Sequence, residues 1–142
     1  MKILTKEQEL LVTSAIGVAE KGTSAEIKVH IDKHCKENPL DKAVETFFFL
    51  EMQKTAARNG VLIYLAYKDR KVAIIGDKGI NELVDDSFWD STYSIMKEEF
   101  VKGDICQGLC KAIENVGDKL KEFFPYQSDD VNELSDEISY GK

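Results

Sequence analysis

The sequence predicts an α/β protein, a three-layer αβα sandwich around a small mixed sheet. Three observations predict it. Ile27, Val29 and Ile31 alternate with polar residues, the period of a strand with one buried face. An amphipathic helical segment separates that strand from the continuously apolar run 61–67, which reads as a central strand buried on both faces. Such a strand–helix–strand crossover implies a parallel pair with a right-handed connection. The charged residues Lys68-Asp69-Arg70-Lys71 then turn the chain tightly into Val72–Ile75, adding an antiparallel hairpin strand. Helical patterns before and after this region supply the outer layers.

The elements follow in order. Thr5 and Gln8 have capping-box spacing, and Leu10, Leu11, Ala15 and Val18 recur at helical intervals until Lys21-Gly22. The first strand covers Glu26–Asp32, in an edge or near-edge position. Asn38-Pro39 starts a second helix, asparagine as cap and proline at the first helical position. Its stripe of Leu40, Ala43, Val44, Phe47 and Leu50 predicts a helix running to about Ala57. The consecutive Phe47, Phe48 and Phe49 suggest that this helix also touches another helix or a partner. A short helical turn is expected near Ile80–Val84. Ser87 and Asp90 then have the spacing of a cap and its partner three residues on, before a helix carrying Trp89, Met96 and Phe100 and stopped by Gly103. Asp104, with Gln107 three residues on, caps the last helix, whose stripe is Ile105, Leu109, Ala112, Ile113, Val116, Leu120 and Phe123.

At 142 residues the chain is long enough for one domain with a real core. Residues 1–125 read as that domain, with Pro125 ending the ordered fold. Residues 126–142 read as an acidic C-terminal tail, flexible by composition. The tail has five acids against one base, so it carries −4 of the net charge of −7. This balance excludes a nucleic-acid backbone as a partner and favours divalent cations or basic surfaces. No apolar run approaches the roughly 20 residues that span a bilayer, and the first residues lack the apolar core of a signal peptide. An odd cysteine count, three, then reads as reduced thiols in a cytoplasmic protein, expected to be a monomer.

The chemistry concentrates where the hairpin strand ends, at Gly76-Asp77-Lys78-Gly79, with Asp85-Asp86 close behind. The starts of the two parallel strands and the finish of the antiparallel one share an end of the sheet. Glu26, Asn59, Gly60, Asp77 and the Asp85-Asp86 loop are therefore expected to converge there. Calcium takes six to eight oxygen ligands, and Glu26, Asp77, Asp85 and Asp86 are the candidate metal ligands. Two carboxylates about 4 Å apart repel by roughly 4 kcal/mol at an effective dielectric near 20, which a cation would relieve. The alternative is capping: Asp85 or Asp86 for the helix after Ser87, Asp77 for the turn after the strand.

Other constellations are weaker. The glycine turn is not a phosphate-binding P-loop, because the spacing and the Lys-Ser/Thr pair are missing. Arg58 and Lys78 are candidate phosphate clamps or solvated charges. His30 and His34 read as a solvated pair, and Cys106 and Cys110 as small buried side chains on one helix face.

Several segments together resemble the TPM domain family, the group that includes the plant thylakoid-lumen acid phosphatase and a nematode acetylcholine-receptor modulator. They are Thr23–Val29, Asn59–Tyr64, Arg70–Gly76, Gly79-Ile80 with Asp86, and Phe100–Asp104 followed by Gly108. The resemblance implies an αβα sandwich with a divalent-metal site in an acidic crevice, often calcium, and contested phosphatase activity. Family members often carry an aromatic residue after the glycine that ends the third strand, where this chain has Asp77. The expected function is thus a module that binds a divalent cation, calcium with magnesium as alternative, and acts in interaction or regulation with an unidentified protein partner. The alternative is a metal-assisted acid phosphatase.

Overall fold

The computed structural model describes residues 3–127 and 133–141. Contacts group the chain into two compact units, one of Glu26–Val84 with Asn132–Lys142, the other of Met1–Ala25 with Asp85–Val131.

The first unit holds the sheet. Strands β1 (Glu26–Asp32), β2 (Gly60–Ala66), β3 (Lys71–Gly76) and β4 (Ser139–Tyr140) lie in the order β3-β2-β1-β4. As expected from the crossover, β1 and β2 are parallel, and β2 and β3 form the antiparallel hairpin. All seven residues of β2 are buried, in keeping with its unbroken apolar run. Helix α2 (Pro39–Phe49) packs on β2 and β3, and its Ala43 and Phe47 join Met52, Leu62, Tyr64 and Ala73 in one apolar cluster.

Helix α2 is shorter than its periodicity suggests. Glu51 adopts a left-handed φ of 58°, and a 3-10 turn at Met52–Lys54 follows. The break lets Met52 drop into the core, 1% exposed and against Gly60, whereas Phe48 and Phe49 stay in solvent at 52% and 82%. A short helix, α3 (Lys78–Asn81), follows β3 directly.

Beyond Pro125, residues of the segment expected as an acidic tail join the sheet. Strand β4 adds to the free edge of β1 in parallel, pairing His30 with Ser139 and Ile31 with Tyr140. Short-range patterning could not show this, because the segment is acidic and finds its partners about a hundred residues away.

The second unit is helical: α1 (Lys6–Glu20), α4 (Asp90–Val101) and α5 (Ile105–Leu120), with α5 packed on both α1 and α4. The Thr5–Gln8 capping box forms in both directions. The buried face of α1 is Val12 and Ile16, while Leu10, Leu11 and Val18 are exposed. Both sets satisfy helical spacing, so periodicity alone selected the wrong stripe. Most of the expected α5 stripe is buried, with Leu109, Ala112, Ile113, Val116 and Leu120 fully so, but Ile105 is half-buried and Phe123 lies beyond the helix and is exposed. Its cap is Asp104, which accepts the Gln107 N–H at 3.0 Å. Ser87 is not the cap of α4. That helix starts after Trp89 without a side-chain cap, and Ser87 bonds Asp85 instead.

Candidate functional site

The strand directions bring Glu26, Asn59, Gly60 and Asp77 to one end of the sheet. Glu26 is in register with Gly60, and Val61 with Gly76. The Glu26 N–H donates to Asn59 O at 3.2 Å, and the Asp77 N–H donates to Gly60 O at 2.9 Å.

Asp77 is the most constrained of the four candidate ligands, 5% exposed. Its Oδ1 accepts the Lys78 N–H at 2.7 Å, so it caps α3. Arg58 occupies both oxygens, Nη2 on Oδ1 and Nε on Oδ2, each at 2.8 Å. This forked geometry gives the strongest carboxylate pairing a side chain offers. It holds the Arg58 guanidinium, already basic, above its ordinary pKa.

The backbone around the pair is tightly fitted. Arg58 has a left-handed φ of 50°. The Gly79 N–H donates to Arg58 O at 2.9 Å, and a Cβ at Gly79 would lie 2.4 Å from Ala57 O and 2.7 Å from Arg58 O. Glycine is therefore required there by close backbone approach. Asn81 ties the same turn to β3 by donating Nδ2 to Gly76 O at 2.8 Å.

The remaining carboxylates have other work. Glu26 is 4% exposed and accepts the Glu133 N–H through Oε1 at 2.6 Å. Asp85, in the helical unit, accepts the Ser87 N–H at 3.1 Å and the Ser87 hydroxyl at 2.8 Å, a local Asx turn. Asp86 is exposed. Among the described residues, no group of three or more histidine, cysteine, aspartate or glutamate side chains is arranged to hold a metal ion. The donors thus form no ready-made calcium cage, and Arg58, expected as a phosphate clamp or a solvated charge, is an ion-pair partner.

A polar network that sequence reasoning missed lies along β1. His30 is buried, not solvated. Its Nε2 lies 2.8 Å from Asp32 Oδ1 and its Nδ1 2.9 Å from Ser139 Oγ. The Tyr64 hydroxyl donates to the other Asp32 oxygen at 2.6 Å, and the Tyr64 and His30 rings stack at 5.8 Å. Burial, and then the bond to Asp32, push the Tyr64 hydroxyl far above the ordinary tyrosine range. The only local signal was that His30 and Asp32 alternate on one strand face. Their partners come from β2 and β4. His34 is separate and exposed, bonded to Asp69 at 3.1 Å. On α5, burial raises the Cys106 thiol and pushes Cys110 up to about 12, in line with cysteines acting as packing groups.

The family model of the TPM domain matches residues 1–119. The chain belongs to the TPM domain family. The solved structure of the BA42 protein from the psychrophilic bacterium Bizionia argentinensis is similar over nearly the whole length. It is 44% identical, with 99% of this chain and 97% of that one covered and a TM-score of 0.93. Two further structures share the TPM fold at 15% identity. The N-terminal domain of the cg2496 protein from Corynebacterium glutamicum has a TM-score of 0.65, covering 82% of this chain and 74% of that one. The N-terminal domain of a protein from P. gingivalis has a TM-score of 0.69, covering 88% and 82%. No curated protein matches this TPM domain. Among its described residues, no helix is long and apolar enough to cross a membrane.

Proposed function

We propose that this TPM domain is an interaction or regulatory module that responds to a divalent cation, calcium by donor chemistry with magnesium as alternative. The observation that carries the reading is the Arg58–Asp77 pair. A buried carboxylate at the sheet end already holds a positive group on both oxygens, and the Arg58 side chain bearing it is 41% exposed. That position suits positive charge, and a cation takes it in competition with the guanidinium. Glu26, at the same end of the sheet, is committed through Oε1 to Glu133, whereas Asp85 and Asp86 belong to the other unit and are exposed. A competed site with few preformed ligands belongs at the weak end of calcium affinities, about 10⁻⁴–10⁻³ M.

The metal-assisted phosphatase reading draws less support, because the arginine that would clamp phosphate is engaged by Asp77. Calcium titration followed by amide NMR tests the proposal. Saturable shifts are expected at Gly76–Lys78. Their absence up to about 10 mM calcium, well above the weak range, sinks it.

A further inference from the structure

Residues 133–141 do more than add two residues to a sheet. They follow β1 through a series of matched contacts. The Glu133 N–H bonds Glu26 Oε1, and Glu133 Oε2 accepts the Ala56 N–H at 3.1 Å. Leu134 packs against the apolar cluster that contains Met52. Lys28 Nζ donates to Ser135 O at 3.1 Å. Ser139 bonds His30, and the Gly141 N–H donates to Ile31 O at 2.9 Å. The groove therefore supplies backbone pairing, an apolar seat and polar anchors from Glu26, Lys28 and His30.

Two positions of the bound segment are chemically restricted. Asp32 accepts from Tyr64 on one oxygen and faces His30 Nε2 with the other. A neutral His30 therefore carries its proton on Nε2 and presents Nδ1 as an acceptor, which a hydroxyl at position 139 satisfies. At position 141 a Cβ would fall 1.6 Å from Asp32 Oδ1, so any residue but glycine pushes that carboxylate oxygen away from His30. The groove reads Ser-x-Gly in an extended segment lying parallel to β1.

The geometry points to the β1 edge as a strand-addition site for an extended Ser-x-Gly segment of a partner protein, occupied in cis by residues 133–141. Extended peptides commonly bind by adding to an open sheet edge, with main-chain bonds giving affinity and alternate side chains giving specificity. The occupying segment is suited to exchange. Its ladder is only two residues long, and Glu133, Ser135 and Glu137 are exposed. Each hydrogen bond with a solvated competitor contributes little net stability, so such a segment opens locally before the sheet does. This site is independent of the cation reading, which concerns Asp77.

The full-length chain, isotope-labelled, tests the inference with a peptide of residues 134–141, Leu-Ser-Asp-Glu-Ile-Ser-Tyr-Gly. In Gly141→Val the tail is expected to leave, shifting the amides of Lys28, His30, Ile31 and Asp32. Added peptide should restore them, with an affinity at least about tenfold above that for wild type, whose tail competes at high effective concentration. The same peptide with valine for its glycine should fail. Equal binding to wild type and variant, equal binding of the two peptides, or self-association without peptide binding would overturn the inference. Hydrogen exchange on wild type guards against a variant that does not fold. The Gly141 amide is expected to exchange at least about tenfold faster than that of Ile63, and equal rates would mean that the segment opens only with the whole sheet.

Discussion

Arg58 grips both carboxylate oxygens of Asp77, so the acidic residue that ends β3 faces a cation from its own chain. Asp77 also caps α3, and Gly79 lets the Arg58 backbone lie against that helix. Electrostatics, capping and close packing meet in four consecutive residues, Gly76 to Gly79.

The packing part of this arrangement predicts that Gly79→Ala destabilises the protein. The new methyl group would meet two backbone carbonyls, which cannot rotate away as a side chain can. A loss of about 1–3 kcal/mol is expected from overpacking. Urea unfolding reads it directly, and an unchanged midpoint would contradict the close approach.

The two candidate caps of the later helices separate by mutation. Asp104→Ala removes the acceptor for the Gln107 N–H and should cost about 0.5–2 kcal/mol. Ser87→Ala removes only a local bond to Asp85 and should stay within about 0.5 kcal/mol. Thermal melts of both variants check this. Equal losses would restore Ser87 to the role its spacing suggests.

Acid sensitivity should come in part from Asp69 and Glu99. The Cys35 N–H, then His34, hold Asp69 below its ordinary value of 3.8. Lys111, helped by Lys102, holds Glu99 below 4.5. A carboxylate with a depressed folded-state pKa stabilises fully above its unfolded value and loses that contribution as pH falls through the folded one. The melting temperature should therefore decline as pH drops below those ordinary values, and Glu99→Gln should flatten the decline. An equally steep decline in the variant would remove Glu99 from the account.

The thiols of α5 should be slow nucleophiles. Burial raises Cys106 and pushes Cys110 up to about 12, so the thiolate fraction at pH 8 is small. Mass spectrometry after iodoacetamide treatment should show these two cysteines alkylated at most about a tenth as fast as in urea. Equal rates in native and unfolded protein would contradict their burial.

The parts of this fold that were readable from sequence are those in which one segment carries its own signal. The unbroken apolar run of β2, the alternation in β1, the Thr5–Gln8 box and the α5 stripe each encode an element locally, and all four formed. What remained hidden depended on distant residues. Val12 and Ile16 compete with Leu11 and Val18 for the same helical period, and only packing decides between them. His30 looked solvated because Ser139 and Tyr64, its partners, are far away in sequence. Asp77 could be read as ligand or cap, and its capping role formed. Arg58, nineteen residues earlier, was not legible as its counter-ion.

The competition between calcium and Arg58 for Asp77 is the central claim, and paired calcium affinities test it most directly. Dissociation constants from amide shifts at Gly76–Lys78 would be compared for wild type and Arg58→Gln. Removing the guanidinium leaves a buried carboxylate without its positive partner, so calcium should bind the variant at least about tenfold more tightly. An unchanged or weaker affinity in Arg58→Gln would contradict the account.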